Sequence, residues 1–174
     1  MAQAIVDEMI KAVIDNFLSV EVCNKLIKDN LSNFKPIPEL PHTRSCTSKF
    51  IKVPKITDEV TSIVNEIRKD LTVDSTFEFI QYSKDDHFQW HDDVRLNNPK
   101  VETISAIIIL NDNFKGGDLL FRKDLKVTKP DINVGSLVVF PSKLKHKVNK
   151  ITEGFRYSLC CWFYKDNTKF KSVL

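Results

Sequence analysis

Glycine is scarce in this sequence. Four occur in 174 residues, Gly116, Gly117, Gly135 and Gly154, and residues 1–115 contain none. Each falls between stretches that read as strands, where tight turning or positive φ is often needed. Long apolar runs are lacking as well. None approaches the length of a membrane-spanning helix, and the N-terminal MAQAIVDEMIKAVID carries acids in place of a continuous apolar leader region. These absences predict a cytoplasmic protein with no membrane partner. There is no CxxC pair. Of Cys23, Cys46, Cys160 and Cys161, the last two are neighbours that would face opposite sides of a strand, so buried free thiols are expected, not a disulfide framework. Excess charge is missing too: a net +3 compels neither a nucleic-acid nor a membrane partner and leaves room only for a local basic patch.

What is present is the balance of an ordinary globular protein, 42% hydrophobic and 28% charged, with 12 phenylalanines to fill a core. The length suits one domain, 1–174, and no repeat or linker interrupts it. Residues 4–11 could form a short amphipathic helix, and 11–19 read as a strand running into a turn. Ser19 then caps a helix over about 20–32 with Val22, Leu26 and Ile27 on one face. Residues 34–49 hold three prolines and read as an extended, irregular arm. The best helix is 56–71, capped by Thr57 or Asp58, with Val60, Ile63, Val64 and Ile67 inward. From residue 76 short β-branched and aromatic segments follow one another: FEFIQYS, FQWHDDV, TISAIIIL, DLLFR, SLVVFP, HKVNKI and FRYSLCCWFY. Helices first and strands later predict a small β-barrel or sandwich buttressed by helices.

FQWHDD, residues 88–93, is where chemistry can begin. On a strand, His91 and Asp93 share a face and Asp92 points away, which gives an imidazole and a carboxylate two adjacent positions on one metal. The other histidines are His42, His87 and His146. His146 opens a strand-like segment and is the best third ligand. Two histidines and one carboxylate on neighbouring strands form the facial triad of non-haem Fe(II) oxygenases. Zinc hydrolases use the same donors, but the helical HExxH pattern is absent. Arg156, ten residues after His146 and past the turn at Gly154, decides between them. A guanidinium inside a barrel needs an anion, and its fork matches a carboxylate. A 2-oxo diacid would chelate the metal with one end and meet Arg156 with the other.

The ordered set His91-Asp92-Asp93, His146 and Arg156 resembles the 2-oxoglutarate- and Fe(II)-dependent dioxygenases, in particular the prolyl 4-hydroxylase-like branch. Tyr82 nine residues before the first ligand, the Gly116-Gly117-Asp118 turn, and GSLVVFPSKLKHKV leading into EGFRYSLCCWF add to the likeness, which is strongest over about 79–163. The sequence departs from the family pattern at Asp85, where glycine is frequent, at Asp118-Leu119, and at Phe88, where an aromatic hydroxyl is usual.

The resemblance implies an α+β, mainly β fold: a double-stranded β-helix, or jelly roll, with 1–75 as helical support and first strands and 76–165 as the core. It implies Fe(II) on His91, Asp93 and His146, with 2-oxoglutarate meeting Arg156, Tyr82 and Ser158. Dioxygen would be the second co-substrate and ascorbate a supporting reductant. The implied reaction is hydroxylation of an unactivated C–H bond, and Asp93 speaks against halogenation, for which related enzymes carry a small residue there. A prolyl residue in a peptide or protein leads as substrate. A free amino acid, a small metabolite or a nucleic-acid base remains open, as does a jelly-roll binding protein without turnover. His87 and His42 read as surface residues, and Trp162 and Phe163 as core. The basic stretches 94–100 and 121–130 read as solvated loops and hairpin faces, with a rim for an acidic peptide or nucleic acid as the rival.

Overall fold

In a computed structural model of the chain, residues 10–36, 43–94 and 100–166 are described. His42, most of the 4–11 segment and most of the 94–100 stretch therefore lie outside the described residues. The elements run in the order β1 (Ala12–Ile14), α1 (Val20–Asn30), β2 (Lys35–Pro36), β3 (Arg44–Ser45), β4 (Thr47–Ile51), α2 (Pro54–Ile67), β5 (Thr72–Val73), β6 (Phe77–Tyr82) and β7 (His87–His91). There follow β8 (Lys100–Ile109), β9 (Lys115–Gly116), β10 (Leu119–Lys123), β11 (Lys126–Thr128), β12 (Leu137–Pro141), β13 (Lys145–Val148), β14 (Ile151–Glu153) and β15 (Arg156–Asp166).

The strands sort into two main sheets. The larger runs β1-β12-β8-β15-β6-β4-β2, with β5 paired to β15; the smaller runs β11-β10-β13-β7-β3. One apolar cluster packs Cys23 of α1 and Val60 and Val64 of α2 against Phe79, Leu159 and Phe163 of the large sheet. A second fills the space between the sheets, with Ile80, Ile107 and Phe140 from one and Phe121 and Val148 from the other. The architecture is mainly β, with two helices among the described residues, as expected.

Local chemistry sets the helix ends. Ser19 caps α1 as expected, its Oγ accepting from the Val22 N–H at 3.3 Å. The buried stripe is Cys23, Leu26 and Ile27, an i, i+3, i+4 pattern, while Val22 is 41% exposed. Helix α2 begins two residues earlier than expected because Pro54 takes the first turn, where its missing N–H costs nothing. Thr57 is no cap; its N–H and hydroxyl both donate to the Val53 carbonyl, at 2.9 and 3.1 Å. The helix ends at Ile67 because Arg68 is extended, and Thr72–Val73 then pairs with β15. The proline-rich arm is less irregular than expected. Pro36 sits on an edge strand, where no ladder donor is needed, and 44–51 supplies β3 and β4. All four cysteines are buried and free.

Candidate metal and co-substrate site

Strand β7 carries His91, β13 carries His146, and the two are paired in register. That pairing places the imidazoles side by side, ring centroids 4.1 Å apart. Asp93 lies just beyond the end of β7. Its backbone N–H donates to the Ser142 carbonyl at 2.9 Å, which turns the carboxylate back toward the rings. The ligand-type atoms of His91, Asp93 and His146 all fall within 4.8 Å of one another; each Nε2 stands 3.7 Å from an Asp93 oxygen.

The unused sides of these groups are all tied down. His91 Nδ1 faces the Gln89 carbonyl at 2.7 Å, and His146 Nδ1 faces the Leu144 carbonyl at 2.9 Å. Both contacts require Nδ1–H as donor, so each Nε2 lone pair is left for a metal. Ser105 donates from Oγ to Asp93 Oδ2 at 2.6 Å and meets Ser142 Oγ at 3.0 Å. Burial, followed by the neighbouring His146, lowers the His91 pKa to about 4; the Gln89 carbonyl and Asp93 oppose the shift. His91 is therefore neutral, the ligating form, across the physiological range. Phe88 stacks on His91 with centroids 3.4 Å apart, and Phe140 meets His146 edge-on at 4.8 Å.

Arg156, Tyr82 and Ser158 form the other half of the site. Arg156 is directly opposite Tyr82, and Ser158 opposite Ile80, on adjacent strands. The guanidinium is 2% exposed. It donates from Nη1 to Ser158 Oγ at 3.2 Å and lies 5.5 Å from the Tyr82 ring centre. No carboxylate among the described residues pairs with it, and burial pulls its pKa down from the ordinary value. A guanidinium has five N–H donors, so most of this buried cation's capacity is open to an anion. Burial also raises the Tyr82 pKa, keeping the phenol a neutral donor. A cavity of about 380 Å³ joins His91, Asp93, His146, Arg156, Tyr82 and Ser158. Two imidazole nitrogens, a carboxylate and an unmatched buried cation in one cavity fit Fe(II) with a chelating dianion.

Sequence reasoning missed several residues. Ser105 and Ser142 support Asp93; the one available signal was a serine on the inward side of TISAIIIL. Arg44 and Glu78 form an ion pair at 2.9 Å in the cavity wall, and Arg44 also lies over Phe88. Trp162 packs against the core between the sheets, as expected, and also lines the cavity. His87 stays out of the site, its Nδ1 3.3 Å from the Asp85 carbonyl. Asp92 borders the cavity but directs its Oδ2 to Lys145 at 2.6 Å. Asp85, standing where the family often has glycine, adopts a left-handed φ of 71°, which aspartate tolerates better than most residues.

Residues 77–164 match the sequence profile of the 2OG-Fe(II) oxygenase superfamily. The chain belongs to that family, and membership implies Fe(II) and 2-oxoglutarate. Among curated proteins it is similar to a PKHD-type hydroxylase of Pseudomonas putida, 32% identical over 89 residues, covering 47% of this chain and 39% of that protein. A PKHD-type hydroxylase of Alteromonas mediterranea is 25% identical over 48% of this chain and 41% of its own length. The matched part thus spans about two fifths of these relatives. Among solved structures, a Pseudomonas putida prolyl-4-hydroxylase superposes with a TM-score of 0.70 at 20% identity, over 88% of this chain and 91% of that one. A Trichoplax adhaerens prolyl hydroxylase, solved with a hypoxia inducible factor peptide, gives 0.68 at 17% identity over 94% and 87%. These likenesses establish the jelly-roll fold expected from the sequence. No helix among the described residues is long and apolar enough to cross a membrane.

Proposed function

We propose that the protein is an Fe(II)- and 2-oxoglutarate-dependent hydroxylase of an unactivated C–H bond, with a prolyl residue in a peptide or protein as substrate. The observation that carries this reading is the shared cavity: a His91–Asp93–His146 donor cluster at one place and the unmatched Arg156 cation at another. His91, Asp93 and His146 would hold the metal. Arg156 would pair with the far carboxylate of 2-oxoglutarate, with Tyr82 donating to it and Ser158 fixing the guanidinium. Bound there, Fe(II) supplies the oxidation, coupling decarboxylation of 2-oxoglutarate by dioxygen to hydroxylation, with ascorbate keeping the metal reduced. The protein's share is orientation and exclusion of water. The prolyl peptide substrate is supported by the likeness to a Pseudomonas putida prolyl-4-hydroxylase and by the peptide in the Trichoplax prolyl hydroxylase structure.

The test is substrate-stimulated succinate release across proline peptides, free amino acids and oligonucleotides, together with anaerobic titration of the charge-transfer band formed by Fe(II) and 2-oxoglutarate. A prolyl peptide is expected to stimulate release. His146→Ala is expected to abolish both band and turnover. A variant that keeps both removes His146 from the metal site, and stimulation by another class alone replaces the prolyl substrate.

A further inference from the structure

Trp90, the residue before His91, faces away from the cavity. Arg122 of β10 lies over its ring with Cζ 4.6 Å from the centre, and Lys147 of β13 lies 5.4 Å from it. Strand register completes this outer face. Arg122 stands directly opposite both Val127 of β11 and Lys145 of β13, and Leu120 stands opposite Lys147. The face thus combines Trp90, Leu120 and Val127 with Arg122, Lys145 and Lys147. Val127 is 51% exposed, and Leu125, at the tip of the same hairpin, is 100% exposed. Among the described residues both helices pack on the other sheet, and neither Arg122 nor Lys147 meets a carboxylate.

Two features of this face have no account in the fold. Arg122 and Lys145 are like charges placed directly across a strand pair, an arrangement that destabilises a sheet. Asp92 neutralises Lys145 at 2.6 Å, but among the described residues no carboxylate pairs with Arg122 or Lys147. Exposed Val127 and Leu125 beside these cations offer a partner apolar contact together with positive charge. The charge selects an anionic partner, and the apolar members select one that also carries aliphatic groups. A single strand held by base stacking needs an open aromatic face, and the Trp90 ring is already covered by two cations.

We propose that this outer face docks an acidic segment of the protein substrate that also carries aliphatic side chains, held on the reverse of the strand that ends at His91. The substrate part rests on the hydroxylase reading; the docking part does not.

The experiment is fluorescence anisotropy of dye-labelled probes with the full chain, without metal. The probes are a repeating Glu-Leu-Glu peptide, an all-Glu peptide, a repeating Lys-Leu-Lys peptide and oligothymidylate. The Glu-Leu-Glu peptide is expected to bind best, and Arg122→Glu/Lys147→Glu to weaken it about tenfold or more. Leu125→Ser/Val127→Ser is expected to erase its advantage over the all-Glu peptide. The anaerobic charge-transfer band of both variants checks that the fold survives. Undiminished binding to the charge-reversed variant, equal binding of the all-Glu peptide, or tighter binding of oligothymidylate overturns the proposal. Sedimentation showing self-association through this face does so as well. Succinate release that fails for every substrate while Glu-Leu-Glu binding persists removes the hydroxylase reading and leaves the surface.

Discussion

Asp93 carries two oxygens with different neighbours. Oδ2 receives the Ser105 hydroxyl at 2.6 Å, with Ser142 behind it, and Oδ1 stands 3.7 Å from His91 Nε2. Removing the serine lets the carboxylate rotate, and losing such a supporting partner costs on the order of tenfold in metal affinity. Ser105→Ala is therefore expected to weaken Fe(II) binding about tenfold and Ser105→Thr to restore it, measured by anaerobic titration. Arg156 makes the opposite kind of prediction. A buried cation without a counter-charge opposes folding, so Arg156→Met is expected to preserve or raise the melting temperature of the metal-free protein. The same change is expected to abolish the 2-oxoglutarate charge-transfer band. The clustering of His91, Asp93 and His146 beside Arg156 was legible because HxD, a later histidine and an arginine occur in fixed order. Ser105 was not, because a serine in an apolar strand looks like a small packing residue until Asp93 is seen against it.

At the scale of elements, strand alternation accounts for the site only in part. It places His91 inward and Trp90 outward, but β7 ends at His91, and Asp93 reaches the cavity through its bond to the Ser142 carbonyl. The β7–β13 register shifts between the His146–His91 and Val148–Phe88 pairs. That irregularity brings Phe88, three residues from His91, onto the imidazole, which strict alternation would not allow. Both ends of α2 differ from the expected 56–71: its start depends on Pro54, outside the apolar stripe that marks the helix, and the extended Arg68 ends it at Ile67. The glycine turn, in contrast, was readable, and the structure shows its purpose. Gly117 has φ +66°, and a Cβ there would collide with Ile151 Cδ1 and stand 3.2 Å from Arg156 Cδ. Gly117→Ala is expected to cost about 1–3 kcal/mol of stability and to raise the apparent KM for 2-oxoglutarate. Denaturant titration and steady-state kinetics measure the two effects; a KM equal to wild type would mean that the Arg156 stem does not rely on this turn.

For the whole molecule, folding and the proposed metal binding place the same demand on His91. In the folded protein its pKa falls from the ordinary 6.5 to about 4, so in that interval the unfolded chain binds the proton and the folded chain does not. Stability therefore rises with pH across the interval. The contribution is full above about 6.5 and is lost as pH falls toward 4. The melting temperature of the metal-free protein is expected to drop over that range, and His91→Gln to flatten the drop. The paired carboxylates Asp70, held at about 2 by Arg68, and Asp92, held down by Lys145, act in the same direction at lower pH, so the His91 contribution is the part that the substitution removes. A bound divalent metal also needs the neutral imidazole, and protons compete with it directly. The melting temperature of the Co(II)-loaded protein is accordingly expected to fall more steeply with acid than that of the metal-free form, and His91→Gln is expected to erase the difference. Parallel wild-type curves with and without metal would mean that His91 contributes nothing to holding the ion.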